Sequence, residues 1–106
     1  MRRDVFQAIA DPTRRAILML IATQAMTPNA LAEHFHSTRQ AVSKHIKVLT
    51  ESQLLKQEQM GREIYYHLNS KKLKIVTDWL EGFRQITDTR YSQLDNVLKK
   101  IKAKTK

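Results

Sequence analysis

Both prolines of this chain directly follow a residue that caps helices, in Asp11-Pro12 and again in Thr27-Pro28. The capping side chain accepts from a backbone N–H that has no partner inside the helix, and proline is tolerated in the first turn. Two helix starts are therefore fixed, and only two glycines punctuate the remainder, which favours a mainly α chain. Ahead of the first start, Val5, Phe6, Ile9 and Ala10 have helical spacing and predict a short helix over about residues 3–10. The second helix carries Ile17, Leu18, Leu20 and Ile21 and is expected to run to about Thr23. A third should turn Leu31, Ala32 and Phe35 inward. After a break at His36-Ser37, Thr38 is the expected N-cap of a fourth.

Beyond residue 54 the period changes. Ile64, Tyr66 and Leu68 alternate with Glu63, Tyr65 and His67, the pattern of a half-buried strand. Met60-Gly61-Arg62 supplies a turn, so 55–59 and 63–68 should pair as a hairpin. Asn69-Ser70 then opens a long final helix. The fold class that follows is mainly α with a small β-hairpin, a winged helix-turn-helix with a long C-terminal helix. One domain is expected over 1–106, with the helix-turn-helix at 27–52, the wing at 55–68 and a dimerisation helix at 70–102.

The fourth helix carries the chemistry. On a helical wheel Ile46 and Leu49 fall within about 40° of Val42 and form its buried stripe, while Gln40, Lys44 and Lys47 lie about 140–200° away. Arg39 occupies the first turn, where a recognition helix meets bases. Gln40 suits adenine N6 and N7, and Arg39 or Lys44 suits guanine O6 and N7, so these three are the expected base readers. Thr38, Ser43 and Lys47 suit phosphate oxygens. His45, about 60° from the stripe, is assigned equally to a phosphate contact or to packing. On the hairpin Gln57, Gln59 and Arg62 offer donors, and an arginine at a wing tip can enter a narrow minor groove.

The net charge of +9 points to a polyanionic partner, here double-stranded DNA, but most of it is local. Residues 27–69 carry five cations against four acids, whereas the last eight residues hold Lys99, Lys100, Lys102, Lys104 and Lys106 and no acid. Cysteine is absent, which excludes disulfides, thiolate metal sites and thiol redox sensing. No apolar run reaches membrane-spanning length, and Met1-Arg2-Arg3-Asp4 lacks the apolar stretch of a signal peptide, so a cytoplasmic protein with no membrane partner is expected. No nucleophile–base pair, phosphate loop or carboxylate pair suggests an enzyme, and no cofactor is implied.

Three stretches together are similar to a known family. Ala8-Ile9-Ala10-Asp11-Pro12-Thr13-Arg14-Arg15-Ala16-Ile17-Leu18 resembles the opening motif of arsenic-repressor-type (ArsR) winged-helix transcriptional regulators. Ala41-Val42-Ser43-Lys44-His45-Ile46-Lys47-Val48-Leu49 resembles their recognition helix, and Gly61-Arg62-Glu63 with Tyr66-His67-Leu68 their wing. The segment 79–98 is similar to the metal-independent branch, whose members are bacterial repressors. The resemblance implies a homodimer on a palindromic operator. Metal-sensing members place cysteines in the third helix, where this chain has Leu31-Ala32-Glu33-His34-Phe35-His36. His34 and His36 point about 200° apart on a helix, so no shared metal is expected.

In the final helix Leu73, Leu80, Leu94 and Ile101 follow a seven-residue repeat, with Val76, Phe83 and Val97 at the three-on positions. Thr87 and Arg90 interrupt the seam, which leaves one helix or two joined by a kink. Trp79, Ile86, Tyr91 and Leu98 widen the apolar stripe. A second subunit should cover it, through Leu73, Val76, Trp79, Leu80, Phe83, Leu94 and Val97 with help from Phe6. The alternatives are a non-specific nucleic-acid binder driven by the lysine tail, and a protein-interaction module built on the long helix.

Overall fold

The computed structural model describes residues 4–104, so residue 3 of the expected first helix and Lys106 of the lysine tail lie outside the described residues. The elements are α1 (Val5–Ala8), α2 (Pro12–Thr23), α3 (Pro28–His34), α4 (Arg39–Glu51), β1 (Leu55–Met60), β2 (Glu63–Leu68) and α5 (Ser70–Lys104). This is the expected winged helix-turn-helix order. The chain divides at residue 76, inside α5, into a packed domain and a second unit that holds the rest of that helix.

Helix starts follow the sequence signals. Asp11 accepts from Arg14 N at 3.0 Å, Thr27 from Ala30 N at 3.2 Å and Thr38 from Ala41 N at 3.1 Å. The first helix is shorter than periodicity predicts. Asp4 caps it, and Ile9 already leaves helical geometry because the chain must turn into the cap at Asp11. That corner is closed by α2. Arg14 donates to the carbonyls of Ala8 and Gln7 at the end of α1, and Arg15 to those of Ile9 and Ala10 in the turn that follows. The paired arginines of the opening motif therefore act in folding.

Helix ends use residues that the sequence does not advertise. His36 and Gln53 take positive φ, 51° and 66°, although neither is glycine. After α3 the amides of Ser37 and His36 donate back to Ala32 and Glu33, and after α4 those of Leu54 and Gln53 donate back to Leu49 and Thr50. Both are Schellman closures. The second also brings together Leu49 and Leu54, each fully buried. The bend between α3 and α4 is thus set by hydrogen bonds at a histidine.

The core gathers one stripe from each element: Val5, Ile17, Ile21, Leu31, Val42, Ile46, Leu49, Leu54 and Leu55, with Val76 from α5. The hairpin is antiparallel from Leu55↔Leu68 to Met60↔Glu63. Met26 adds a bridge on the far side of β2, exchanging both backbone hydrogen bonds with Tyr66. Its alternation is weaker than expected, and Ile64 is 41% exposed, because the outer end of the hairpin runs beyond the core. Only Gly61 of the two-residue loop has positive φ, 66°, as a type II′ turn requires of its first residue. Asn69 precedes α5, and Lys72 and Leu73 N–H donate to its backbone carbonyl. Its side-chain amide donates to Gln53 O at 2.8 Å while its backbone N–H reaches Leu54 O, which ties the end of the wing to the end of α4.

In α5 no kink appears at residues 87–90; the helix is continuous. Val76 is 5% exposed and buried in the domain core, and Leu73 is partly buried against that core. Of the expected seam, Val76 is thus taken up by the domain core, whereas Leu73 keeps part of its surface. Among the described residues no helix is long and apolar enough to cross a membrane.

Candidate nucleic-acid interface

Thr38 caps α4, and the helix then carries Gln40, Lys44 and Lys47 on the side opposite Val42, Ile46 and Leu49, with Arg39 and Ser43 nearer one edge. All five are exposed. Five of the positions expected to meet bases or phosphates therefore share one open face. Thr38 has its hydroxyl oxygen on Ala41 N, so its first role is to start the helix.

The face is not uniform. A cleft of about 280 Å³ opens between α3, α4 and the wing, and Asn29, Arg39, Ser43 and Arg62 are among its walls. A second, of about 350 Å³, runs beside the C-terminal half of α4, with Ser43, Lys47, Thr50, Gln57 and Tyr66 around it. Pro28, Ser43 and Tyr66 line both. Gln40 and Lys44 line neither. Asn29 was not legible as a site residue, since nothing in a helix-opening Thr-Pro-Asn-Ala reveals which way the wing will fold.

The wing residues separate as well. Arg62 stands exposed beside Gly61 at the tip. Gln57 stays exposed, its Oε1 accepting from Tyr66 Oη at 3.4 Å. Gln59 turns toward the loop, its amide 3.5 Å from Gly61 O. Met60, 55% exposed at the tip, adds an apolar side chain that the sequence reading did not assign.

His45 faces away from this surface. Its Nδ1 lies 3.8 Å from Asp11 Oδ2, and both side chains are about a third exposed or less. Of the two roles expected for His45, a phosphate contact or packing, this contact with the start of α2 favours packing. The Asp11 carboxyl is held below the usual carboxylate range, chiefly by the Arg14 backbone N–H; partial desolvation opposes this, and His45 and Arg14 add attraction. His67 Nε2 approaches Glu58 Oε2 at 2.7 Å on the wing, a close contact without hydrogen-bond alignment. His34 packs edge-on against Phe35, with ring centroids 5.0 Å apart. Among the described residues no three His, Asp or Glu side chains gather as a metal site would need.

In the second unit Trp79, Leu80, Phe83, Leu94 and Val97 are each 50–58% exposed. Trp79 stacks on Phe83 one turn later, with centroids 5.8 Å apart. Phe6 in the domain is partly buried against the core.

Comparison with known proteins bears on this geometry. A helix-turn-helix domain family matches residues 9–58. The transcriptional repressor SdpR of Bacillus subtilis is 38% identical over 80 residues, which span 76% of this chain and 89% of that protein. An ArsR-like transcriptional regulator from Rhodococcus sp. RHA1 superposes with a TM-score of 0.67 at 29% identity, over 88% of both chains. The chain belongs to the ArsR-type winged helix-turn-helix regulators. An ArsR-type protein of this kind binds DNA and regulates transcription, and it is not an enzyme. The same fold recurs in the homodimeric winged helix-turn-helix DNA-binding domain Mb0332 of Mycobacterium bovis, at TM-score 0.65 and 20% identity, over 76% of this chain and 75% of that one.

Proposed function

We propose that this ArsR-type regulator is a cytoplasmic repressor that binds a palindromic operator as a homodimer, without a metal cofactor. The observation that carries the reading is the exposed face of α4, with Arg39, Gln40, Ser43, Lys44 and Lys47 on one side and Arg62 of the wing beside it. Phosphate contacts would supply affinity and base contacts specificity. The dimer is supported by the row of large apolar side chains on α5. Trp79, Leu80, Phe83, Leu94 and Val97 fall within an arc of about 100° on the helix, and a row of this kind is normally covered by another chain. A dimer of the same fold exists in the Mycobacterium bovis protein. Metal independence is supported by the different neighbours of the four histidines: Phe35 for His34, a helix closure for His36, Asp11 for His45 and Glu58 for His67.

Selection from a random duplex library tests the reading. A dimeric repressor enriches a two-fold symmetric motif with half-sites one helical turn apart, or a multiple of it. Calorimetry of the dialysed protein with zinc or nickel should show no stoichiometric tight binding, and such binding would remove the metal-independent part.

A further inference from the structure

The two clefts beside α4 form one trough, and they divide the DNA-facing side chains of that helix into two rows. Arg39, Ser43 and Lys47 are spaced four apart and therefore lie along one edge of α4. Arg39 and Ser43 line the first cleft, and Ser43 and Lys47 the second. Gln40 and Lys44 form the neighbouring row and touch neither. The opposite wall of the trough is the wing, which contributes Arg62 at one end and Gln57 with Tyr66 at the other. Asn29 of α3 faces Arg39 and Arg62 from the side.

We infer that this trough holds one sugar–phosphate strand of the operator, the ridge between the major groove read by α4 and the minor groove under the wing. The inference rests on the DNA-binding reading above. It makes Arg39 a backbone clamp that works with Arg62 and Asn29, and it confines direct base reading to Gln40 and Lys44. The chemistry fits a polyanionic strand. The arginines stand on opposite walls at one end and Lys47 at the other, with the neutral donors Ser43, Asn29 and Gln57 between and beside them. Guanidinium groups suit phosphate oxygens at least as well as guanine edges. Two carboxylates, Glu63 and Glu51, also line the trough, against the three cations Arg39, Arg62 and Lys47. Glu63 accepts from Tyr65 Oη at 3.2 Å, on the other face of β2 from Ile64 and Tyr66, and Glu51 stands in the last turn of α4. A base-reading Arg39 would have to leave the cleft that it lines together with Arg62.

The test compares Arg39→Ala, Arg62→Ala and Gln40→Ala in the full chain, on the selected operator, on each single-base variant of it and on scrambled duplex, across a salt series. All three residues are exposed, and a thermal melt of each variant checks that it folds. Arg39→Ala should weaken every duplex by the same factor and lower the slope of log K against log salt by about 1, leaving base preferences unchanged. Gln40→Ala should flatten the preference at one position in each half-site with little change in slope. The Arg39→Ala, Arg62→Ala double variant should lose less than the two single losses combined, as expected of two groups on one strand segment. Loss of preference at a single base position in Arg39→Ala overturns the inference, and so do fully additive losses. If the wild-type protein enriches no motif at all, the failure lies with the repressor reading instead.

Discussion

Thr38 carries two separable roles, and a set of substitutions tells them apart. Its hydroxyl oxygen accepts from Ala41 N at 3.1 Å and starts the helix that carries every expected base reader. Thr38→Ala removes that acceptor and should cost about 1 kcal/mol, the usual worth of an N-cap. For a domain of this size that lowers the melting temperature by about 4–8 °C. Thr38→Asp keeps a capping oxygen and adds negative charge at the positive end of α4, so its stability should match or exceed the wild type. If the residue also stands at a phosphate, the same charge repels DNA. Chemical denaturation and operator titration on the three proteins give the answer. The expected pattern is an unstable Ala variant that still binds when folded, and a stable Asp variant that binds poorly. An Ala variant as stable as the wild type refutes the capping argument. An Asp variant with wild-type affinity refutes the phosphate role.

Further outcomes follow from the backbone, the termini of helices and α5. Gln53→Gly should stabilise the domain by about 0.5–1 kcal/mol, because it removes a side chain from a left-handed position while the Schellman bonds stay in place. Gly61→Ala should cost about 1 kcal/mol although its new methyl meets nothing within 4 Å, since the penalty is the backbone angle alone; urea melts read both, and equal midpoints for all three proteins contradict them. The Asp11 carboxyl titrates below its usual range, so its contribution is complete above about pH 4 and is lost as pH falls through the folded-state value. Asp11→Ser retains a cap that does not ionise, and its stability should fall less steeply below that pH; parallel acid limbs would remove the assignment. Phe83→Glu places a charge on the exposed α5 row and should yield a monomer by sedimentation at low micromolar concentration. An unchanged sedimentation coefficient would locate the interface elsewhere.

What was legible in the sequence was mostly local. Asp11, Thr27 and Thr38 announce helix starts because capping chemistry is short-range, and the structure places all three at N-caps. The change of period after residue 54, with Gly61 in the turn, makes the wing legible for the same reason. Helix ends were harder. His36 and Gln53 accept a strained φ because buried neighbours and two backward hydrogen bonds outweigh an intrinsic preference of about 1–2 kcal/mol. A wheel places His45 at an angle but says nothing of Asp11, the N-cap of another helix far away in sequence; only the packing of α2 against α4 reveals the pair. The same limit applies to Arg39 and Gln40, which are adjacent in sequence and are distinguished by where the wing folds. In α5, Val76 and Phe83 are seven apart and look alike on the repeat. One is buried in the domain and the other is exposed, because the domain core ends between them.

The most direct measurement on the central claim is the sequence that purified protein retains from a random duplex library at about physiological salt. A dimeric repressor reading bases through α4 predicts a two-fold symmetric motif that loses definition at one position per half-site in Gln40→Ala. Retention of DNA without enrichment would contradict it and favour binding through the lysine-rich C-terminus, and no retention would contradict DNA recognition by this face altogether.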